Sequence, residues 1–295
     1  MSPPGHPADQ FPPRQRTAPG AEDAALGPRG LIPIAVDGRP VRIEYGWVGS
    51  DSAAAPPLVF LHEGLGSLAM WKDFPARLCA AAGVRGLVWS RLGYGRSTPR
   101  APSERWGVDF MHRQAESVLP ALLDALGVVA PYALFGHSDG GSIALIHAAL
   151  FPDRVAAAVV VAPHIRTEPF GLAAIREARA AYLHGDLAQR LGRYHADVDS
   201  AFRGWNDIWL DPAFESWSIE DLLPRLRCPL LAVQGLGDEY GTLEQIRGIA
   251  RRAPQAELLE LADCGHSPHR DRPEALIAAV TDFIHRHSGF RGPTA

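Results

Sequence analysis

A serine with a glycine two residues before it and another two residues after it, Gly136-His137-Ser138-Asp139-Gly140, can present its hydroxyl on a turn too tight for larger neighbours. The serine takes an unfavourable backbone conformation and the glycines supply the room. Such a hydroxyl becomes a nucleophile once a base removes its proton. The apolar run Tyr132-Ala133-Leu134-Phe135 precedes the motif, and helix formers from Ile143 to Leu150 follow it. This strand, turn and helix setting separates a nucleophile elbow from a chance match and marks Ser138. The helix that begins there aims backbone N–H groups and the positive end of its dipole at the place where a tetrahedral oxyanion would form.

An elbow serine needs an acid and a histidine later in the chain, each just beyond a strand, in the order Ser, Asp, His. Pro229 to Gln234 reads as a buried strand, and Gly235-Leu236-Gly237-Asp238 follows it. Ala256 to Leu261 reads as another, followed by Ala262-Asp263-Cys264-Gly265-His266. His266 is the expected general base, and Asp238 the carboxylate that fixes its tautomer and stabilises the imidazolium. Glu239 and Asp263 are rivals for the acid, and His269 for the base. Asp263 lies too close in sequence to His266 to orient the ring from behind. Cys264 sits on no elbow, so a cysteine nucleophile is set aside. Oxyanion donors are expected from the N–H after the nucleophile, Asp139, and from the loop His62-Glu63-Gly64 after the early strand Pro57 to His62, which nominates the Gly64 N–H.

These residues require an alternating framework. Leu31 to Val36 and Val41 to Val48 form a hairpin about Asp37-Gly38, and Arg85 to Ser90, Tyr132 to Gly136 and Val155 to Val161 read as central strands. Helical segments separate them, a long one running from Val108 to Leu126. Alternation of this kind predicts a mostly parallel sheet with right-handed crossovers. It stops between His164 and Leu226, where Ala-, Arg- and Leu-rich helical sequence carries Trp205, Trp209 and Trp217. An apolar roof over a substrate is the functional reading of those aromatics, and packing on the main domain accounts for most of them. Trp205 and Trp209 are the expected substrate contacts.

The His62 to Gly64 loop, the Arg91-Leu92-Gly93-Tyr94-Gly95-Arg96-Ser97 turn, the elbow and the Asp238/His266 pair occur in this order. With them the chain resembles the α/β-hydrolase superfamily from about Leu31 to His287. The resemblance implies an α/β fold with a mostly parallel eight-stranded sheet, helices on both faces and an inserted helical cap. The expected division is a disordered tail over 1–29, a core over 30–163 and 227–295, and a cap over 164–226. Two departures stand out: Glu63 follows His62 where many relatives have glycine, and Arg91 replaces a frequent acidic residue. A carboxylate aimed at a developing oxyanion would oppose catalysis, so Glu63 is expected to point away or to pair with a cation, and an Arg91–Glu63 contact is one option. The serine nucleophile argues against the dehalogenase and epoxide hydrolase branches, which use aspartate. Meta-cleavage-product hydrolases, which cleave carbon–carbon bonds, usually carry tryptophan after the catalytic histidine, whereas Ser267-Pro268 stands here.

The whole chain bounds the rest. Its 295 residues, 46% hydrophobic and 21% charged, suit one large globular unit with an inserted subdomain. A net charge of −4 offers no nucleic-acid or anionic-membrane surface. Three scattered cysteines, Cys79, Cys228 and Cys264, form no disulfide framework and fit a reducing compartment. With neither a signal pattern nor a membrane span in the sequence, a cytoplasmic location is expected. The expected function is hydrolysis of a carboxylic ester or thioester with a small to medium apolar or aromatic acyl group, through an acyl-enzyme. No metal or organic cofactor is required, the partner is a small-molecule substrate, and a homo-oligomer is permitted. Carbon–carbon hydrolysis and ligand binding without catalysis on the same fold are the alternatives. Gly64-Leu65-Gly66-Ser67-Leu68-Ala69 formally fits a dinucleotide fingerprint, with Arg91 placed to suit a 2′-phosphate, but it does not follow the first strand. The spacing after His62-Glu63 excludes an HExxH zinc site.

Overall fold

The computed structural model describes residues 27–50 and 55–287. The tail expected over 1–29 falls outside these residues except for its last three. Eight strands form one sheet: β1 (Arg29–Val36), β2 (Arg39–Val48), β3 (Leu58–Leu61), β4 (Gly86–Trp89), β5 (Tyr132–His137), β6 (Val155–Val161), β7 (Leu230–Gly235) and β8 (Ala256–Leu261). Their spatial order is β1-β2-β4-β3-β5-β6-β7-β8. β1 and β2 pair antiparallel, as do β2 and β4, and β3 to β8 run parallel. Asp37 and Gly38, at the hairpin tip, both have positive φ, the backbone that this tight turn requires.

The apolar runs become strands because both of their faces are covered. Every residue of β3, β4, β5 and β7 is buried, the pattern of parallel strands between helix layers. Alternate residues serve opposite faces. Val59, Leu61, Leu134 and Val160 join the apolar cluster that includes Leu122 and Ile143, whereas Leu58, Phe60, Phe135 and Val159 join the one that includes Leu78 and Val280. The first of these layers contains α2 (Phe110–Arg113), α3 (Leu119–Ala125) and α4 (Asp139–Leu150); α1 (Phe74–Ala82) belongs to the other. The helix expected from Val108 to Leu126 is broken into α2 and α3 by a π-turn over Gln114–Val118. Pro120 follows in the first turn of α3, where its missing N–H and its ring disturb the regular ladder.

Between β6 and β7 the chain leaves the sheet, as its composition indicated. α5 (Pro169–His184), α6 (Leu187–Leu191) and α7 (Val198–Trp209) fill this insertion. Its entering and leaving segments meet in an Arg166–Ser218 bridge, with Thr167 N–H on the Trp217 carbonyl at 3.0 Å and Ile219 N–H on that of Ile165 at 2.8 Å. Asp197 caps α7 by accepting from Ser200 N–H at 2.8 Å. Ala201, Phe202, Trp205, Ile208 and Trp209 then recur at helical spacing on one buried face. α8 (Glu244–Arg252) follows β7, and α9 (Pro268–Asp271) and α10 (Pro273–Arg286) complete the chain. No described helix is long and apolar enough to cross a membrane.

Candidate active site

The carboxyl ends of the parallel strands converge on one edge of the sheet, the place where open α/β sheets bind ligands. His62 to Gly64 follow β3, Ser138 follows β5, His164 lies just after β6, Asp238 after β7 and His266 after β8. Ser138 has φ 54° and ψ −122°, a conformation that non-glycine residues rarely hold without surrounding constraint. The constraint is visible: Ser138 N–H donates to the Val161 carbonyl at 2.9 Å, and the Ser138 carbonyl accepts from Gly141 N–H at 2.8 Å. A Cβ at position 136 would overlap the Gly140 carbonyl, and one at position 140 the Leu61 carbonyl. The two flanking glycines are therefore demanded by backbone packed against backbone.

The serine, histidine and aspartate singled out by the sequence come together. Ser138 Oγ lies 2.9 Å from His266 Nε2, and His266 Nδ1 lies 2.8 Å from Asp238 Oδ1. Asp238 accepts in addition from Tyr240 N–H at 2.8 Å, Gly241 N–H at 3.2 Å and Gln234 Nε2 at 3.0 Å. Desolvation would raise its pKa, but His266 and the Tyr240 N–H hold it below the ordinary carboxylate value. Burial likewise pushes the His266 imidazole down, and the Asp238 charge and hydrogen bond outweigh it, so the net shift is upward. With Nδ1–H donated to the carboxylate, Nε2 is left to accept from the serine hydroxyl. The arrangement can carry a proton from Ser138 to His266 and back.

The rivals stand elsewhere. Glu239 accepts from the backbone N–H of His266 at 3.2 Å rather than from its ring. Asp263 is exposed and lies 3.9 Å from Arg272. His269 is buried among Trp71, Phe74 and His137. Burial pushes the Cys264 thiol up to about 12, far from thiolate chemistry at neutral pH.

Neither nominated N–H donates to a protein acceptor among the described residues: Asp139 is the first residue of α4, and Gly64 lies in the loop after β3. Gly64 lies so close under the α7 insertion that a Cβ there would overlap the Trp205 indole nitrogen. Glu63 turns its carboxylate back over Gly66, 3.6 Å from His137 Nδ1 and 3.8 Å from the Arg270 guanidinium. Desolvation opposes its charge, yet His137 and Arg270 hold its pKa well below the ordinary value. This is the expected pairing with a cation, supplied by Arg270 and not by Arg91. The Arg91–Glu63 option fails at the carboxylate, because the guanidinium donates to the Glu63 main-chain carbonyl at 2.8 Å. Its charge faces Asp139 Oδ2 instead, at 3.7 Å.

That Arg91–Asp139 pair was not legible in the motif, which had used Asp139 only for its N–H. Desolvation raises the Asp139 pKa to about 6 against the pull of Arg91. Its other oxygen accepts from Trp209 Nε1 at 3.2 Å. Trp205 and Trp209 both line the cleft over Ser138, together with Ile175, Leu187, His164 and Tyr240. His164 and Tyr240 were not anticipated. The signal for His164 was its position at the carboxyl end of a central strand, and Tyr240 stands two residues past the expected aspartate. The Gly64-Leu65-Gly66 stretch leads only into the single 3₁₀ turn Leu68–Trp71, and the Arg91 side chain is fully buried. The dinucleotide fingerprint thus lacks the helix and the accessible arginine it needs.

Comparison with known proteins bears on the fold. Residues 56–204 match the family described as alpha/beta hydrolase fold. The chain is 28% identical over 275 residues to the sn-1-specific diacylglycerol lipase ABHD11 of Mus musculus, covering 84% of this chain and 87% of that protein. It is 26% identical over 253 residues to the putative carbamate hydrolase RutD of Pseudomonas savastanoi pv. phaseolicola, covering 78% and 95%. Among solved structures, a thermophilic esterase from Thermogutta terrifontis superposes with a TM-score of 0.69 at 22% identity, covering 88% of this chain and 99% of the esterase.

Proposed function

As a member of the alpha/beta hydrolase fold family this chain is a hydrolase, and we propose that it cleaves a carboxylic ester or thioester of a small to medium apolar or aromatic acyl group through an acyl-enzyme. The observation that carries the reading is the continuous line from Ser138 Oγ through His266 to Asp238, with contacts of 2.9 and 2.8 Å. Ser138 Oγ attacks the acyl carbon as His266 Nε2 takes the hydroxyl proton. The C–O or C–S bond then breaks, and the alcohol or thiol leaves with that proton. Water, deprotonated by the same nitrogen, attacks the acyl-enzyme, releasing the carboxylic acid and restoring the serine. The free N–H groups of Gly64 and Asp139 serve as the oxyanion hole, and Trp205 and Trp209 form the roof against which the acyl group packs.

The ester-cleaving activity named for the mouse relative is consistent with this chemistry. The test is stopped-flow hydrolysis of p-nitrophenyl butyrate. An acyl-enzyme releases one equivalent of p-nitrophenol in a burst wherever deacylation is the slower step, and Ser138→Ala abolishes burst and steady state together. Equal steady-state rates in the two proteins would overturn the proposal.

A further inference from the structure

Among the described residues, the buried His62, His147, His195 and His266 bond through both ring nitrogens, whereas His137 and His269 leave Nδ1 sealed in the interior without a hydrogen bond. His147 bonds the Ala115 carbonyl at 2.8 Å and Tyr132 Oη at 2.7 Å. His195 bonds the Leu65 carbonyl at 2.9 Å and Gly95 N–H at 3.0 Å. His62 meets the Glu63 carbonyl at 2.8 Å and Arg91 N–H at 2.9 Å. His164 differs. Its main chain is anchored, with N–H on Ser142 Oγ at 3.0 Å and its carbonyl accepting from that hydroxyl at 2.6 Å. Neither of its ring nitrogens has a hydrogen-bond partner among the described residues, and neither is sealed from the cleft that the ring lines. The ring is held edge-on to Trp209 at 5.0 Å and lies 5.9 Å from the His266 ring. The Tyr240 hydroxyl, in the same cleft and on a ring 4.7 Å from His266, is likewise without a protein partner.

A ligand that fills this mostly apolar cleft displaces solvent from a ring with no protein partner, so binding is unfavourable unless the ligand itself supplies the hydrogen bond. The proton relay makes no use of His164. Burial keeps the imidazole neutral, its pKa pushed down to about 3, so it offers one donor and one acceptor and no charge. No lysine or arginine is among the described residues that line the cleft, so an anionic group would enter with no cation to receive it. On the serine-hydrolase reading above, we infer that His164 is a specificity-determining residue that hydrogen-bonds an uncharged hydroxyl or carbonyl oxygen of the substrate close to the scissile carbonyl. The substrate class is then a neutral, oxygenated ester or thioester, in preference to a plain alkyl or an anionic one.

Matched substrates test this. On the acyl side, p-nitrophenyl 3-hydroxybutyrate is compared with p-nitrophenyl butyrate; on the alcohol side, 2-hydroxyethyl butyrate with propyl butyrate; mono-p-nitrophenyl glutarate supplies the anion. Wild type is expected to prefer the oxygenated member of at least one pair by about five- to tenfold in kcat/KM, the worth of one neutral hydrogen bond, and to disfavour the glutarate. His164→Phe brings that ratio towards one, and His164→Gln retains part of it. No preference in either pair, a ratio unchanged in His164→Phe, or preference for the glutarate overturns the inference. The wild-type ratios decide alone should the phenylalanine variant not fold. Turnover of any of these esters that survives Ser138→Ala sinks the serine-hydrolase reading itself, whereas turnover lost in Ser138→Ala without an oxygen preference sinks only the role of His164.

Discussion

Trp209 Nε1 donates to Asp139 Oδ1 at 3.2 Å, so the last turn of α7 is tied to the residue that follows the nucleophile. Asp139 is buried, and its second oxygen faces the fully buried Arg91 at 3.7 Å. One carboxylate thereby couples the helical insertion, the elbow and the turn after β4. The roof over Ser138 is held by a charge-assisted bond as well as by apolar contact.

Trp209→Phe keeps most of the ring packing and deletes this bond, leaving a buried carboxylate oxygen unsatisfied. The expected loss is about 1–2 kcal/mol, read as a drop of roughly tenfold in kcat/KM for an aromatic ester together with a lower melting temperature. Unchanged kinetics and melting would show that the bond contributes nothing.

Any side chain at position 64 collides with the Trp205 indole, so Gly64→Ala displaces either the loop or α7 and lowers kcat, by up to about 3 kcal/mol if the oxyanion donor moves. Adding Trp205→Ala removes the obstacle and recovers part of kcat. A double variant worse than both singles would place the harm elsewhere.

Glu63 gives a test of sign. A carboxylate beside an oxyanion hole would slow the reaction if it acted on the reacting centre, and Glu63→Gln would then accelerate turnover. The structure instead places its charge between His137, whose Nε2 donates to the His266 carbonyl at 2.7 Å, and Arg270 in α9. Glu63→Gln is therefore expected to lower stability by about 1–3 kcal/mol through the uncompensated partners, and kcat with it. Thermal melts and initial rates on the same preparation check both.

The strands and the meeting of Ser138, Asp238 and His266 were legible because each rests on short-range patterns. Val155 to Val161 and Ala256 to Leu261 coincide with their strands to the residue, and the loops that follow strands delivered Ser138, Asp238 and His266. What escaped was side-chain direction. The identity of Arg91 was plain, but whether its guanidinium would meet Glu63 or Asp139 depends on how β4 sits against β3 and β5, a long-range matter. The π-turn at Gln114–Val118 was missed although Pro120 marked it. From the sequence His164 reads only as the boundary of the insertion, and the fold places its ring in the cleft beside His266.

The pH profile follows from the state of the base. His266 accepts a proton only when neutral, and the Asp238 charge holds its pKa above the ordinary histidine value of about 6.5. As pH falls, kcat/KM should decline through a midpoint above that value. Asp139 gains its proton near pH 6, so Asp139→Asn isolates the histidine limb. Asp238→Asn removes the charge that raises the pKa, moving the limb to lower pH while the plateau drops by orders of magnitude. A wild-type midpoint well below 6.5 would contradict the assignment.

Covalent trapping tests the nucleophile most directly. Incubating the protein with a p-nitrophenyl alkylphosphonate should release one p-nitrophenolate per chain, add one phosphonyl group to the intact mass and place it on the peptide containing Ser138. Ser138→Ala should take up none. An unlabelled, folded wild-type protein, or an adduct that persists in Ser138→Ala, would contradict the account.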